Sequence, residues 1–451
     1  MEAFDQYIEK HRKSYLEELR RFCRQPSISN TGKGMQAMAE MVAERLSGLG
    51  AEPRLITVGD SYPYVYAEIG EGRRTLLIYN HYDVQPAHRE DGWAHDPFDP
   101  VIQNGRLYAR GVADNKANLL FRIQSVEAYL AVYGRLPLRV RFLIEGEEEI
   151  GSPHLPRFVE SYADLIQADG CIWESGRTGH NGNPVLHLGL RGILYVELSI
   201  QADQRGMHSS WANIVENPAL PLEERLRQAL QTLMDEEGRP ALNGLETPPL
   251  SQEDLALLET IPFDPATVQV EHGVTLRPGL SGVEALRRVL FEPSCNICGL
   301  GAGYTGPGIK TVIPNRAVAK VDFRLPFGLT PDEVEIHLRR HLQAHGFEEI
   351  QIRRLAALHP ARFSPNAAIV RAVREAVRTV YGVEPTIYPL MPASGPMYTL
   401  CQVQDIPAVT FGTGYPGDNT HAANENIRLK DYFRALRCFG RILDRFASLE
   451  D

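Results

Sequence analysis

A cluster of carboxylates directly follows a largely apolar segment in the first half of the chain. Residues 138–144 predict a buried strand, and Glu145, Glu147, Glu148 and Glu149 come immediately after it. Carboxylates at the edge of a core need cations or protons nearby. A metal site would satisfy them and leave one carboxylate free to move protons. For an isolated cluster, a solvated acidic loop is the alternative interpretation.

Three further segments place metal-type ligands after apolar runs or in loops. His81 and Asp83 follow the apolar run 75–79, and a carboxylate two residues from a histidine can orient the ring for metal binding. Asp114 lies in a glycine-containing loop at the start of a predicted helix, where it could bridge two cations or cap the helix. His421 lies in a loop near the end of the sequence. Each segment alone is weak evidence for a site.

The surrounding pattern predicts an α/β fold. Continuous apolar runs alternate with helical periodicity, which is typical of strands covered by helices on both faces. In the first part of the chain the predicted elements are a helix at 1–24, strands at 64–69, 75–80 and 138–144, and a helix around 119–130. Because such folds place sites at strand ends, the acidic and histidine-bearing segments stand in suitable positions.

A second series of elements begins after residues 189–192. In order, the pattern predicts a strand at 193–201, a helix at 222–235, an irregular stretch at 237–293, a strand at 317–325, a helix at 331–345 and a strand at 350–355. Long helices follow, the last with amphipathic spacing from Leu429 to Phe446. This order predicts a smaller α/β domain inserted into the first one.

Composition restricts the class of protein. The 451 residues are 43% hydrophobic and 23% charged, which is globular composition with room for two domains. The net charge of −10 argues against nucleic acid or an anionic membrane as a partner. We find no signal-peptide block, no span long enough for a bilayer and too few cysteines for a disulfide framework, so a cytoplasmic location is expected.

Cys295 and Cys298 form a C-x-x-C pair inside a strand-like stretch. Such a pair can be half of a zinc site or a redox couple, but no second pair accompanies it. We therefore predict two small core side chains without a function.

Taken together, five ordered motifs resemble the dinuclear zinc metallohydrolases that include carnosinases, aminoacylases, glutamate carboxypeptidase and succinyl-diaminopimelate desuccinylase. The resemblance covers nearly the whole chain. Its motifs are Asn80–Asp83; Gly105–Tyr108 with Arg110, Gly111 and Asp114; Glu145–Ser152; Lys310–Pro314 with Arg324; and His421 with Asn424 and Glu425.

The resemblance implies two divalent metal ions, zinc by family habit, with manganese or cobalt also suited to such ligands. His81, Asp114 and Glu174 would hold one ion, and Asp114, Glu149 and His421 the other. Asp169 is the rival to Glu174. Glu148 would be the general base that takes a proton from the attacking water, and Asp83 would orient His81.

The resemblance also assigns residues outside the metal cluster. His208 would reach the active site of the partner subunit and stabilise the oxyanion, although Ser210–Asn213 replace the small residues usual after that histidine. Arg324 would grip a substrate carboxylate. Ser394 and Gly395 are candidate substrate contacts.

The resemblance therefore implies a zinc-exopeptidase-like catalytic domain, formed by residues 1–192 and 359–451 around a mixed sheet covered by helices. A ferredoxin-like lid and dimerisation domain, residues 193–358, would be inserted in it. The chain looks most like the carnosinase-type dipeptidases, and a homodimer that hydrolyses dipeptides with a free carboxylate is expected. The alternatives are an N-acyl-amino-acid deacylase and, in another class, a non-catalytic binding relative.

Overall fold

The computed structural model describes residues 1–280 and 282–449. These residues form two compact units. The first unit comprises residues 1–189, 362–390 and 396–449, and the second comprises residues 190–361 and 391–395.

Eleven α-helices lie within the described residues. They are α1 (Glu2–Arg24), α2 (Met35–Ser47), α3 (Ala117–Tyr133), α4 (Leu155–Ile166), α5 (Ala219–Gln231), α6 (Gln252–Thr260), α7 (Pro265–His272), α8 (Gly282–Phe291), α9 (Pro331–Ala344), α10 (Ala368–Tyr381) and α11 (Leu429–Ser448).

The same residues contain twenty strands, several of them only two or three residues long. They are β1 (Arg54–Ile56), β2 (Tyr64–Ile69), β3 (Thr75–His81), β4 (Val101–Gln103), β5 (Arg106–Tyr108), β6 (Arg139–Glu145), β7 (Gly170–Trp173), β8 (Arg177–Thr178), β9 (Pro184–His187), β10 (Gly189–Leu190), β11 (Gly192–Gln201), β12 (Met207–His208), β13 (Ser294–Ala302), β14 (Val312–Ile313), β15 (Arg316–Leu325), β16 (Gln351–Leu358), β17 (Ala361–Arg362), β18 (Thr386–Tyr388), β19 (Ala408–Thr410) and β20 (Asn426–Arg428).

The first unit is built on a mixed six-stranded sheet with the order β1-β2-β6-β3-β7-β19. Strands β6, β3, β7 and β19 run parallel, and β1 and β2 are antiparallel additions at one edge. Nearly every residue of β3, β7 and β19 is buried, so both faces of the sheet are covered. Helices α3 and α10 pack against these strands. The predicted α/β class and the predicted strand at 64–69 are confirmed.

The second unit contains an antiparallel sheet with the order β13-β15-β11-β16. The chain order of strand, helix, two strands, helix and strand makes this a ferredoxin-like arrangement. One face is apolar and packs with α5 and α9 around residues such as Leu194, Val196, Val321 and Phe323. The other face carries polar side chains, as the two-residue alternation of a strand requires.

The expected irregular stretch at 237–293 is wrong in part, because it contains α6, α7 and α8. The side chain of Ser251 accepts a hydrogen bond from the Asp254 backbone to begin α6, and Asp264 caps α7 in a similar way. These are ordinary helix-start signals that the proline content of the stretch obscured.

The prediction that both cysteines of the C-x-x-C pair are core side chains is wrong for Cys298. Cys295 is buried, whereas Cys298 is exposed. Both belong to β13, which forms an edge of its sheet, and the register of β13 against β15 shifts between Ile297 and Gly299. A bulge at an edge strand leaves its extra residue unpaired.

The sequence-based division treated residues 359–451 as one catalytic segment, whereas Met391–Gly395 group with the second unit. The backbone N–H of Arg191 lies within hydrogen-bond distance of the carbonyls of Met391 and Ala393, which ties this short loop to the start of the second unit. Over the described residues, no helix combines the length and the apolar character needed to cross a membrane.

Candidate metal centre

The ends of three adjacent parallel strands supply the centre of the candidate site. His81 is the last residue of β3, and it pairs with Glu145 at the end of β6. Glu174 follows the last residue of β7, the strand on the other side of β3. Because the carboxyl ends of parallel strands share one edge of a sheet, these side chains converge there.

The imidazole of His81 is fully buried and contacts carboxylates at both nitrogens. Nδ1 lies 3.3 Å from Asp83 Oδ1 and 3.1 Å from the Asp83 carbonyl oxygen. Nε2 lies 3.0 Å from Asp114 Oδ1 and 3.6 Å from Glu174 Oε2. The hydrogen bond of Nδ1 with the Asp83 carbonyl, supported by the nearby carboxylate, fixes the tautomer and aims Nε2 at the cluster, as is common for metal-binding histidines.

The acidic segment after β6 forms a short turn that carries Glu148 and Glu149. The backbone N–H of Glu149 donates to Asp83 Oδ2 at 3.0 Å, so Asp83 holds both His81 and this turn. Glu149 Oε2 accepts a 2.9 Å hydrogen bond from Gln85 Nε2. The position of Glu149 is therefore set by two residues of the loop after β3.

Asp114 is positioned by a buried carboxylate from the far end of the chain. Glu425 accepts hydrogen bonds from the backbone N–H groups of Gly111, Ala113 and Asp114 at 2.8, 2.8 and 3.0 Å. Arg110 Nη1 donates to the same carboxylate at 2.7 Å. The hydrogen bonds to Glu425 therefore fix the backbone conformation of the loop that carries Asp114.

His421 closes the cluster from a loop near α11. Its Nε2 lies 3.2 Å from Asp114 Oδ2 and 3.0 Å from Glu149 Oε2. Its backbone is left-handed, with φ of 64°, and Arg110 Nη2 donates to its carbonyl oxygen at 3.3 Å. Its side chain is half exposed, whereas that of His81 is fully buried.

Glu174 is held at one oxygen and unsatisfied at the other. Trp173 Nε1 donates to Glu174 Oε1 at 3.1 Å, and Arg122 Nη2 donates to the Glu174 carbonyl at 2.8 Å. Oε2 is buried and has no hydrogen-bond partner. The rival Asp169 instead accepts a hydrogen bond from the backbone of Thr75, at the opposite end of β3 from His81.

The electrostatics of this cluster reflect crowded carboxylates. Burial raises the pKa of Glu174 to about 7. Burial, together with the charge of Glu174, raises the pKa of Glu148 well above its usual value. Hydrogen bonds to Asp114 and Glu149 raise the pKa of His421 to about 10. The cluster therefore demands positive charge, which protons on these groups or divalent cations can supply.

The residues fit a site for two divalent cations. One nitrogen or oxygen atom from each of His81, Glu148 and Glu174 lies within 4.8 Å of the others, and the same holds for His81, Asp114 and Glu149. The unpartnered Glu174 Oε2 is the kind of buried acceptor that a cation satisfies. Imidazole nitrogens and carboxylate oxygens together suit zinc, manganese or cobalt.

The predicted residues of the second unit form two separate groups. His208 is exposed at the end of β12; its Nδ1 accepts from the Ser210 backbone at 3.1 Å, and its Nε2 lies 3.2 Å from Thr311 Oγ1. Arg324 Nη1 donates to Ser394 Oγ at 2.8 Å. Gly395 lies next to Ser394 in the loop 391–395.

Three supporting residues of the cluster were not predicted. Glu425 was noted only as part of a motif, and Trp173 and Arg122 were not considered. The fully buried guanidinium of Arg122 also donates to the carbonyls of Trp173 and Phe411, at 2.7 and 2.8 Å. An arginine among the apolar residues Leu119, Leu120, Phe121 and Ile123 of α3 was the one sequence signal that could have indicated it.

Comparison with known proteins gives a consistent relationship. Residues 77–445 match the sequence model of the peptidase family M20/M25/M40. Beta-Ala-His dipeptidase of Rattus norvegicus is 28% identical over 485 residues, covering 100% of this chain and 96% of the relative. The crystal structure of an M20 family metallo-carboxypeptidase from Sulfolobus solfataricus shares 36% identity with a TM-score of 0.88, covering 96% of this chain and 99% of that chain. Human carnosine dipeptidase 1 shares 27% identity with a TM-score of 0.85, covering 99% of each chain.

Proposed function

Because the chain belongs to the peptidase family M20/M25/M40, we propose that it is a metal-dependent dipeptidase that hydrolyses the amide bond of dipeptides or small peptides with a free carboxylate. The observation that carries the proposal is the cluster at the ends of β3, β6 and β7. There Glu148 stands beside His81 and the unpartnered oxygen of Glu174. This grouping supports the proposal that metal ligands and a general base act together there.

We assign the ligands as the family resemblance implies. His81, Asp114 and Glu174 would hold one cation, and Asp114, Glu149 and His421 would hold the other. When bound, two divalent cations polarise the scissile carbonyl and lower the pKa of the attacking water. Zinc is the expected metal, with manganese or cobalt as alternatives.

Glu148 is the general base of the proposed reaction. It takes a proton from the water as the water oxygen bonds to the carbonyl carbon. It then delivers that proton to the amide nitrogen as the carbon–nitrogen bond breaks. Asp83 keeps His81 in one orientation through the contact at Nδ1.

The family resemblance also implies roles for residues of the second unit. His208 stabilises the oxyanion across the interface of a homodimer, because imidazole N–H donors act where negative charge develops. Arg324 binds the substrate carboxylate through its planar guanidinium, aided by Ser394 and Gly395. The six cysteines are free thiols, which suits a reducing cytoplasmic location.

The relatives favour peptides as substrates. Two of the three proteins compared above are dipeptidases by name, and they align with nearly the whole chain. The metallo-carboxypeptidase at 36% identity makes removal of the last residue from longer or blocked peptides the second candidate. An N-acyl-amino-acid deacylase needs the same metals, base and carboxylate contact, and a non-catalytic relative would keep the cluster without turnover.

The decisive experiment measures amine release by chelator-stripped protein resupplied with zinc or manganese. The substrates are free dipeptides, N-blocked dipeptides, and N-acetyl- and N-succinyl-amino acids, with Glu148→Gln as the matched inactive control. Metal-dependent cleavage concentrated in free dipeptides supports the proposal. Preference for N-blocked dipeptides indicates a carboxypeptidase, preference for acylated amino acids indicates a deacylase, and no cleavage indicates a binding protein.

A further inference from the structure

The polar face of the sheet in the second unit carries a compact group of side chains around Asp322. Asp322 and Arg324 are two residues apart on β15, so they share one face of the sheet. In the ladders, Asp322 pairs with Asn296 of β13 on one side and with Tyr195 of β11 on the other. This is the face opposite the apolar packing of α5 and α9.

Asp322 is a buried carboxylate with partners at both oxygens. Asn296 Nδ2 donates to Oδ2 at 2.9 Å, and Cys298 Sγ lies 3.0 Å from the same oxygen. Oδ1 lies 3.6 Å from Arg324 Nε. Only 8% of the residue is exposed, so these contacts hold the carboxylate away from water.

The thiol contact depends on the bulge in β13. Ile297 pairs with Val321 and Gly299 with Lys320, which leaves Cys298 as the extra residue between them. Bulges of this kind redirect a side chain. Here the redirected side chain is that of Cys298, whose thiol reaches Asp322. The bulge in the edge strand therefore gives the carboxylate one of its contacts.

The guanidinium of Arg324 has neighbours at Nε and Nη1 but none that accepts a hydrogen bond from Nη2 among the described residues. Asp322 faces its Nε, and Ser394 Oγ accepts from Nη1 at 2.8 Å. Ser394 is itself anchored, because its hydroxyl donates to the Gly192 carbonyl at 3.2 Å. Among the residues that the structure describes, none accepts a hydrogen bond from Nη2, and 36% of the side chain is exposed.

We propose that Asp322 is a positioning residue that fixes the guanidinium of Arg324 by its Nε edge and thereby presents the Nη1–Nη2 edge to the substrate carboxylate. The inference rests on the carboxylate-binding role proposed above for Arg324. An arginine side chain loses conformational entropy when it binds a ligand, which weakens binding. This cost is smaller if the free protein already holds the side chain in its bound orientation. Asp322 therefore contributes to recognition without touching the substrate.

The test compares steady-state kinetics of Asp322→Asn with those of the wild type, on the dipeptide cleaved fastest in the panel. Asparagine keeps an oxygen acceptor for Asn296 and Cys298 but loses the charge that faces Arg324. We expect KM to rise about tenfold while kcat changes less than about twofold, because substrate binding is affected rather than the transition state alone. Cys298→Ala should shift KM in the same direction by a smaller factor.

The matched control is Asp332→Asn. Asp332 pairs with Arg354 at 2.7 Å in the same unit, but its side chain is 65% exposed and lies in the first turn of α9, not on the polar face of the sheet. Its KM should equal that of the wild type. A rise as large as that of Asp322→Asn would show a general effect of lost charge and would overturn the inference.

A double-mutant cycle separates this inference from the proposed function. If Asp322 acts through Arg324, Asp322→Asn should change kcat/KM little in an Arg324→Ala background. An unchanged KM in Asp322→Asn, or an equal effect in both backgrounds, overturns the inference while the role of Arg324 stands. If Arg324→Ala itself leaves KM unchanged, the carboxylate contact of the proposed function fails instead. Should Arg324→Ala lack measurable activity, the split between KM and kcat in Asp322→Asn decides.

Discussion

Two buried glutamates, one in each unit, have opposite surroundings. Glu197 on the sheet of the second unit meets Arg316 Nη2 at 2.9 Å and Arg353 Nη2 at 3.1 Å. Burial works against its ionisation, but these two guanidinium groups lower its pKa. Glu174 in the first unit has one buried oxygen without a hydrogen-bond partner, and burial raises its pKa to about 7.

The different surroundings of Glu197 and Glu174 distinguish a carboxylate that stabilises the fold from one that can bind a ligand. A carboxylate already satisfied by arginines needs nothing from outside the chain. A carboxylate crowded by other acids, with a buried oxygen left over, is stabilised when a cation arrives. Glu197 is paired with arginines of its own unit, whereas the carboxylates at the strand ends of the first unit crowd one another.

The largest effect is expected from Glu148→Gln, which tests whether the crowded acids of the first unit include the base. The variant should retain the metal content of the wild type, because the proposed ligands remain, while kcat falls by about three orders of magnitude. Elemental analysis and kcat on the best dipeptide measure both. Near-normal turnover would contradict the assignment of the base.

His208→Ala tests the contribution of the second unit, in which Glu197 is paired with two arginines. We expect kcat to fall about a hundredfold with a smaller rise in KM, because an oxyanion contact strengthens only in the transition state. Metal content should not change. An unchanged kcat would remove His208 from the site.

Mixing His208→Ala with Glu148→Gln tests action across subunits. A hybrid dimer would regain one complete site, so activity should recover on mixing. No recovery, despite subunit exchange confirmed by native mass spectrometry, would show that His208 acts within its own chain.

Trp173→Phe tests whether the hydrogen bond from Trp173 orients Glu174 for metal binding. Phenylalanine keeps an aromatic ring beside Tyr79, which stacks on Trp173 with centroids 4.2 Å apart, but it removes the hydrogen bond to Glu174 Oε1. Metal affinity should fall about tenfold, the lower end for loss of a partner that orients a ligand. A competition titration with a chromophoric chelator measures this, and an unchanged affinity would mean that packing alone fixes Glu174.

The smallest effects distinguish the two glutamates directly. In chelator-treated protein, Glu174→Gln should raise the free energy of unfolding by about 1 kcal/mol, because it removes one of several crowded buried carboxylates. Glu197→Gln should lower it by a similar amount of about 1 kcal/mol, since it separates partly exposed ion pairs. Urea denaturation of both variants measures the change in the free energy of unfolding. A change of the same sign in both variants would contradict the distinction between the two glutamates.

The pH dependence provides a further check on Glu197. Its folded pKa lies below the ordinary value of 4.5, so its contribution is present above pH 4.5 and is lost as the pH falls through the folded pKa. The difference between wild type and Glu197→Gln should therefore shrink in acid. A constant difference between pH 7 and pH 3 would contradict the role of the ion pairs.

Much of the fold could be predicted because its local signals agree with its tertiary environment. Strand β2 occupies the predicted residues 64–69, and β3 and β6 each end one residue beyond their predictions. Their apolar runs are continuous because both faces of the sheet are covered. Helices α6 and α7 were missed because their start signals are local hydrogen bonds accepted by the side chains of Ser251 and Asp264, which hydrophobic periodicity does not report.

The residues of the cluster could be proposed from the family motifs, but the residues that hold them in position could not. Periodicity and spacing could not show that Glu425 would meet the Asp114 loop, because the two are far apart in sequence. The single tryptophan hydrogen bond to Glu174 likewise has no sequence pattern. Cys298 was misassigned because one bulged residue reverses the expected burial of an edge strand.

The hydrogen bonds of Glu425 have a consequence for how the protein matures. They join residues 311 to 315 positions apart, and His421 lies only four residues before Glu425. A growing chain on the ribosome has already exposed His81, Glu148 and Glu174 long before this last segment is synthesised. The early part already contains His81, Asp114 and Glu174, the ligands proposed for one cation, but it lacks His421, which is proposed for the other. The proposed second cation site can therefore be completed only after the last segment of the chain has been synthesised.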